Sequence, residues 1–116
     1  MRVAALVAGL ATAALVWAVA SAWPEPPAST SRAGVEEGRA LFARMGCGSC
    51  HKLAAAGTDG PVGPDLDTRL GDHTRASLTA AIAEPSRGGQ MPEDFGQRMT
   101  RQELGALADY LLSARR

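Results

Sequence analysis

Two cysteines and a histidine stand together near the middle of the chain, in the segment Cys47-Gly48-Ser49-Cys50-His51. They are the only cysteines in the sequence. At this spacing both thiols lie on one turn of backbone, where their sulfur atoms can form thioethers with the two vinyl groups on one edge of a porphyrin. A neutral imidazole nitrogen is a good iron ligand, so the adjacent histidine can bind the metal. The segment therefore predicts one covalently attached c-type haem with His51 as an iron ligand.

A Cys-x-x-Cys pair has three other uses. A tetrahedral zinc site needs four ligands, and only His51 and the distant His73 could be added to the two thiolates. A thioredoxin-like dithiol lies among alternating strands and helices, whereas this sequence has almost no strand-like alternation. A plain disulfide between Cys47 and Cys50 leaves His51 without a function. Haem attachment is the interpretation that uses all three residues.

The chain begins with an apolar run from Val3 to Trp23. As a signal peptide this run has a basic start and the small-residue site Ala20-Ser21-Ala22, with cleavage after Ala22. As an uncleaved anchor it is long enough to cross a bilayer, which takes about 20 residues, and residues 3–23 then contact the membrane. We favour cleavage. Both interpretations predict export to the periplasmic side of the cytoplasmic membrane, in soluble or membrane-anchored form.

The Pro- and Ser-rich stretch from Pro24 to Ser31 predicts an extended tether. We therefore divide the chain into a signal peptide or anchor over residues 1–22, a flexible linker over 23–33 and a folded domain over 34–116. The chain has 12 basic and 12 acidic side chains, so it lacks the basic excess of a nucleic-acid-binding protein. The folded part is also short of bulky side chains for a domain of its size, and a porphyrin would supply the missing apolar mass.

Apolar periodicity predicts helices at both ends and in the middle of the folded part. The first runs from Gly34 to Met45 and leads into the cysteine motif. The segment from Ala54 to Asp67 is rich in Gly, Pro and Asp, which predicts a loop. Asp72 or Thr74 caps the middle helix, and Pro85 ends it. The inner face of that helix is predicted to carry Leu78, Ala81 and Ile82.

The last helix has the clearest signal. Thr100-Arg101-Gln102-Glu103 has the form of a capping box. Apolar residues then recur at helical spacing, at Leu104, Leu107, Ala108 and Leu111.

From about Gly34 to Ala114, these features occur in an order that resembles a small class I monohaem c-type cytochrome. Gly38 with Phe42 resembles the N-terminal helix of that family, where glycine permits a close crossing by the C-terminal helix. Leu107 and Tyr110 resemble the other half of the crossing. The resemblance implies an all-α fold of three to four helices around one covalently bound haem.

Two loop motifs extend the resemblance to the haem surroundings. Gly63-Pro64-Asp65-Leu66 resembles the family loop whose proline carbonyl accepts a hydrogen bond from the proximal histidine, a role that would fall to Pro64. Met91-Pro92 resembles the step that supplies the sixth iron ligand. The resemblance thus implies Pro64 and Met91 as haem-site residues, with His51 and Met91 binding the iron.

The choice of Met91 can also be weighed against the other methionines of the folded part. Met45 is too near the attachment site, and Met99 abuts the cap of the final helix, where packing is expected. Met91 lies in a Gly-rich loop that can wrap over a haem face. His73 and an open sixth position are the remaining alternatives.

Iron bound by an imidazole and a thioether has no open position for oxygen, peroxide or substrate. We therefore expect a one-electron carrier, not an enzyme, in a respiratory or similar exported electron-transfer chain. Its partners would be a redox protein that donates the electron and another that accepts it. The alternative is a cytochrome subunit of a larger membrane or periplasmic oxidoreductase complex. A five-coordinate haem enzyme or sensor requires that Met91 does not bind.

Overall fold

The computed structural model describes residues 31–115. Within this range the chain forms five α-helices and one short hairpin. The helices are α1 (Arg32–Arg44), α2 (Leu66–Arg69), α3 (Arg75–Ala83), α4 (Phe95–Arg98) and α5 (Arg101–Ala114), and the strands are β1 (Lys52–Leu53) and β2 (Thr58–Asp59). The all-α prediction is confirmed, with two four-residue helices raising the number of helices to five. The predicted signal peptide or anchor lies outside the described residues.

None of the helices between residues 31 and 115 is long and apolar enough to cross a membrane.

Side chains that accept backbone hydrogen bonds fix where the three long helices begin. The hydroxyl of Ser31 accepts from the backbone N–H of Gly34 at 3.2 Å, so α1 begins at Arg32. Thr74, not Asp72, caps α3, and it forms a capping box with Ser77. The predicted capping box at the start of α5 is confirmed, because the side chains of Thr100 and Glu103 each accept the other's backbone N–H.

Helices α1 and α5 cross at Gly38. A Cβ atom there would collide with the backbone oxygen of Ala106 and lie 2.6 Å from the Cβ of Tyr110. One turn further along α1, the ring of Phe42 packs edge-on against the ring of Tyr110, with centroids 6.0 Å apart. The predicted crossing is confirmed, and its closeness depends on the missing side chain at position 38.

Helix α3 packs against α5 through apolar and charged contacts. Leu78 and Ile82 are buried in the core, as predicted for its inner face. The Arg75 guanidinium donates from Nε to the buried carboxylate of Asp109 at 2.8 Å. Ala81 is exposed where it lines a cavity between the helices.

The segment from Ala54 to Asp67 has more regular structure than predicted. A 3-10 turn over Ala54–Ala56 and a left-handed Gly57 bring β2 back along β1, with Lys52 opposite Asp59 and Leu53 opposite Thr58. Each strand has two residues, which is too short for an alternating apolar pattern to register in the sequence. At the other end of the segment, Asp65 caps the short helix α2.

Candidate haem site

The two cysteines lie on a tight turn directly after α1. Gly46 leaves α1 in the left-handed conformation at φ 73°, and Cys47–Ser49 forms a 3-10 turn. The backbone oxygen of Cys47 accepts from the N–H groups of Cys50 and His51 at 3.2 and 2.9 Å. Both thiols are free and half-buried. Burial raises the pKa of the Cys47 thiol, against an opposing backbone hydrogen bond.

His51 is held on two sides of its ring. Its Nδ1 lies 2.9 Å from the carbonyl oxygen of Pro64, which is the contact that the family resemblance implied. Gly63 packs directly on the ring, since a Cβ there would lie 2.5 Å from Cε1 and 2.6 Å from Nδ1 of His51. Because a carbonyl only accepts, Nδ1 carries the proton and Nε2 keeps a lone pair for a metal.

A cavity with two lobes opens beside these residues. The thiol lobe, which Cys50 lines, has a volume of about 530 Å³, and the core lobe, which Leu107 and Leu111 line, has about 470 Å³. Cys47, His51 and Met91 line both lobes. The volumes lie in the range of sites that enclose organic cofactors, about 300–1,000 Å³.

All five residues predicted for the haem site line the thiol lobe: Cys47, Cys50, His51, Pro64 and Met91. The alternatives for the sixth ligand lie nearby but less centrally. Met45 lines only the thiol lobe, and the buried Met99 lines only the core lobe. His73 also lines only the core lobe, with its Nδ1 3.3 Å from the Ser77 hydroxyl.

The cavity walls fit a dicarboxylate porphyrin. Apart from His51, the basic side chains that line the lobes are Arg69, His73 and Arg98, and no acidic side chain of residues 31–115 lines either lobe. Apolar walls match the macrocycle, and the basic groups suit its two propionates. No sequence pattern identifies Arg98 as a site residue. In the fold it lines the thiol lobe, and its guanidinium lies 5.2 Å from the centre of the Phe95 ring. Arg87 lines a separate depression with Glu84 and Glu93.

The described residues give no support to a zinc site, because residues 31–115 contain no cluster of three or more His, Cys, Asp or Glu side chains that could hold a metal ion.

A comparison with protein families finds a match of residues 35–115 to the cytochrome c family model. The chain belongs to the cytochrome c family. Comparisons with curated proteins and with solved structures gave no match.

Family membership confirms the predicted cofactor. The family binds haem c covalently, and Cys47 and Cys50 of this cytochrome c fit the Cys-x-x-Cys-His attachment motif. Members of the family transfer electrons through the haem, exchange them with redox partners and are typically exported.

Proposed function

We propose that this cytochrome c is an exported one-electron carrier whose haem iron is bound by His51 and Met91. The observation that carries the proposal is the convergence of both side chains on the lobe that both cysteines line. When bound, haem supplies an iron that accepts and releases single electrons. The chain's part is to hold two ligands of suitable chemistry around that iron and to keep it out of water.

The two ligands have different tasks. The Pro64 carbonyl orients the His51 ring through Nδ1 and leaves on Nε2 the lone pair that would bind the iron. The Met91 thioether is a soft, neutral donor that favours the ferrous state and so raises the reduction potential. Because the chain would supply both of these iron ligands, no position on the iron remains for a substrate. Electron exchange is the chemistry that remains, and the protein acts as a carrier and not as an enzyme.

The folded domain over residues 34–116 would work on the periplasmic side of the cytoplasmic membrane, in a respiratory or similar chain. The alternative role, a cytochrome subunit of a larger oxidoreductase, is favoured if the apolar run over residues 3–23 is retained as an anchor. Mass spectrometry of the exported protein separates the two forms. Cleavage after Ala22 gives an N-terminus at Trp23, and a chain that still begins at Met1 or Arg2 is anchored.

Visible spectra of the purified holoprotein test the ligands. We expect c-type bands on reduction and the weak far-red band of methionine-ligated ferric haem. Met91→Leu removes the sulfur with little change in volume and should abolish the far-red band, whereas the matched control Met99→Leu should keep it. A far-red band that survives in Met91→Leu refutes Met91 as the ligand. A protein without a covalently bound chromophore refutes the whole proposal.

A further inference from the structure

The segment that carries His51 and the loop that carries Pro64 are linked at a constant offset of 13 residues. His51 Nδ1 lies 2.9 Å from the oxygen of Pro64. Three positions further along both segments, the backbone N–H of Ala54 lies 3.1 Å from each carboxylate oxygen of Asp67. We call residues 51–54 and 64–67, with the links between them, the proximal ladder.

A weaker link and a helix cap lie within the proximal ladder. Lys52 Nζ lies 3.6 Å from Asp65 Oδ2, with both side chains substantially exposed, so this ion pair contributes little. The other carboxylate oxygen of Asp65 accepts the backbone N–H of Asp67 at 2.9 Å. Apart from the His51–Pro64 bond itself, the Asp67 carboxylate is therefore the strongest side-chain link between the two segments, because it joins a charged acceptor to a backbone donor.

Pro64 depends on such links because it has no backbone N–H with which to fix its own position. On its N-terminal side, the N–H of Gly63 donates to the backbone oxygen of Cys50 at 2.7 Å. On its C-terminal side, the bond from Ala54 to Asp67 performs the same function. The orientation of the Pro64 carbonyl is thus set by links on both sides of the proline.

We propose that Asp67 is a positioning residue for His51, which acts by holding the Pro64 carbonyl against Nδ1. The inference rests on the proposed function, in which His51 binds the iron. A short Nδ1–H···O bond makes the imidazole a stronger donor to the metal, which favours the ferric state and lowers the potential. Loss of the Asp67 link lengthens that bond, so the Nδ1 proton exchanges faster with solvent and the potential rises.

The test measures deuterium exchange of the His51 Nδ1 proton by NMR in the ferrous holoprotein, together with the reduction potential. Asp67→Ala removes the link, while Asp67→Asn keeps one acceptor oxygen for the Ala54 N–H and loses the charge and the second acceptor. Asp59→Asn is the charge control, because within residues 31–115 its exposed carboxylate makes no hydrogen bond or ion pair. Ser31→Ala lowers stability at the α1 cap, far from the ladder in sequence.

We expect exchange in Asp67→Ala to be at least tenfold faster than in the wild type, exchange in Asp67→Asn to lie between the two, and exchange in Asp59→Asn to stay within twofold of the wild type. The potential of Asp67→Ala should lie above that of Asp67→Asn. The proposal is overturned if exchange in Asp67→Ala is no faster than in Ser31→Ala under conditions where both variants have the same free energy of unfolding. It is also overturned if Asp67→Ala and Asp67→Asn have the same reduction potential. Failure of the proposed function is distinguishable, because the wild-type His51 ring protons would then lack the large shifts that a bound haem imposes.

Discussion

Gly63→Ala is the substitution whose effect on the site follows most directly from the structure. The new Cβ atom would lie 2.5 Å from Cε1 and 2.6 Å from Nδ1 of His51. Carbon atoms in good contact lie about 3.5–4.0 Å apart, so the pair is about 1 Å too close. The ring cannot easily retreat, since Nδ1 is hydrogen-bonded to the Pro64 carbonyl oxygen and the backbone oxygen of His51 accepts from the Thr58 hydroxyl at 3.0 Å.

The free-energy cost has two parts of opposite sign. Overpacking at a tight site costs about 1–3 kcal/mol. The same substitution restricts the unfolded chain, which returns about 0.4–1 kcal/mol. Subtracting the midpoints of the two ranges leaves a net loss of about 1.3 kcal/mol, and each kcal/mol lowers the melting temperature by about 4–8 °C in a domain of this size.

Gly71→Ala is the matched control. A Cβ atom at position 71 meets nothing within 4 Å, and the residue is not in the left-handed region. Its melting temperature should be unchanged or higher, because only the effect on the unfolded chain remains. We would compare the ferric holoproteins of Gly63→Ala and Gly71→Ala by their melting temperatures, their far-red bands and their reduction potentials. Equal melting temperatures and equal potentials would show that Gly63 does not constrain the His51 ring.

Three further predictions concern the frame around the site. The Tyr110 hydroxyl is buried without a partner among residues 31–115, so Tyr110→Phe should raise the unfolding free energy by about 1 kcal/mol in guanidinium titrations. Burial also raises the Tyr110 pKa above its ordinary value of about 10, because ionising the hydroxyl is costlier in the folded protein. Stability of the wild type should therefore fall as the pH rises from about 10 through the raised pKa, and a Tyr110→Phe variant that shows the same alkaline loss contradicts this. A hydrogen bond from the Thr100 backbone N–H lowers the Glu103 pKa below its ordinary value of 4.5. The stability that this carboxylate contributes is therefore present above pH 4.5 and is lost as the pH falls through the lowered pKa. Melting temperatures of Glu103→Gln measured from pH 6 to 2 should lack that acid dependence. Arg75→Ala leaves the Asp109 carboxylate buried without its cation and should cost about 1–3 kcal/mol in urea titrations, towards the lower end because the guanidinium is 42% exposed; no loss would mean that water replaces it.

Sequence patterns predicted the parts of this fold that arise within one element. The helix caps at Thr74 and Thr100 are hydrogen bonds between residues close in sequence. The residue types at these positions therefore predict the caps without knowledge of the fold. The four-residue helices and the two-residue strands lack that signal, because elements this short carry no full apolar period. Tertiary packing decides whether they form.

The candidate site divides in the same way. Cys47, Cys50 and His51 share one turn, so their spacing alone indicates the chemistry. Arg69 and Arg87 look alike in the sequence as isolated arginines, yet only Arg69 lines the cavity. Nothing local distinguishes them, because the difference comes from where the fold places α2 and the loop after α3 relative to the cavity.

The Gly-rich composition of the segment from Ala54 to Asp67 predicted a loop, and the structure gives a further reason for two of its glycines and for Gly48. A Cβ atom at Gly48 would collide with the Thr58 side chain, and one at Gly60 would collide with the backbone of Cys50. Gly63 lies as close to the His51 ring. None of these three glycines has a positive φ, so close approach and not an unusual backbone conformation requires them. The Gly- and Pro-rich composition that indicates an irregular segment is thus a consequence of packing it directly onto the motif, and the same packing places the Pro64 carbonyl within hydrogen-bonding distance of His51.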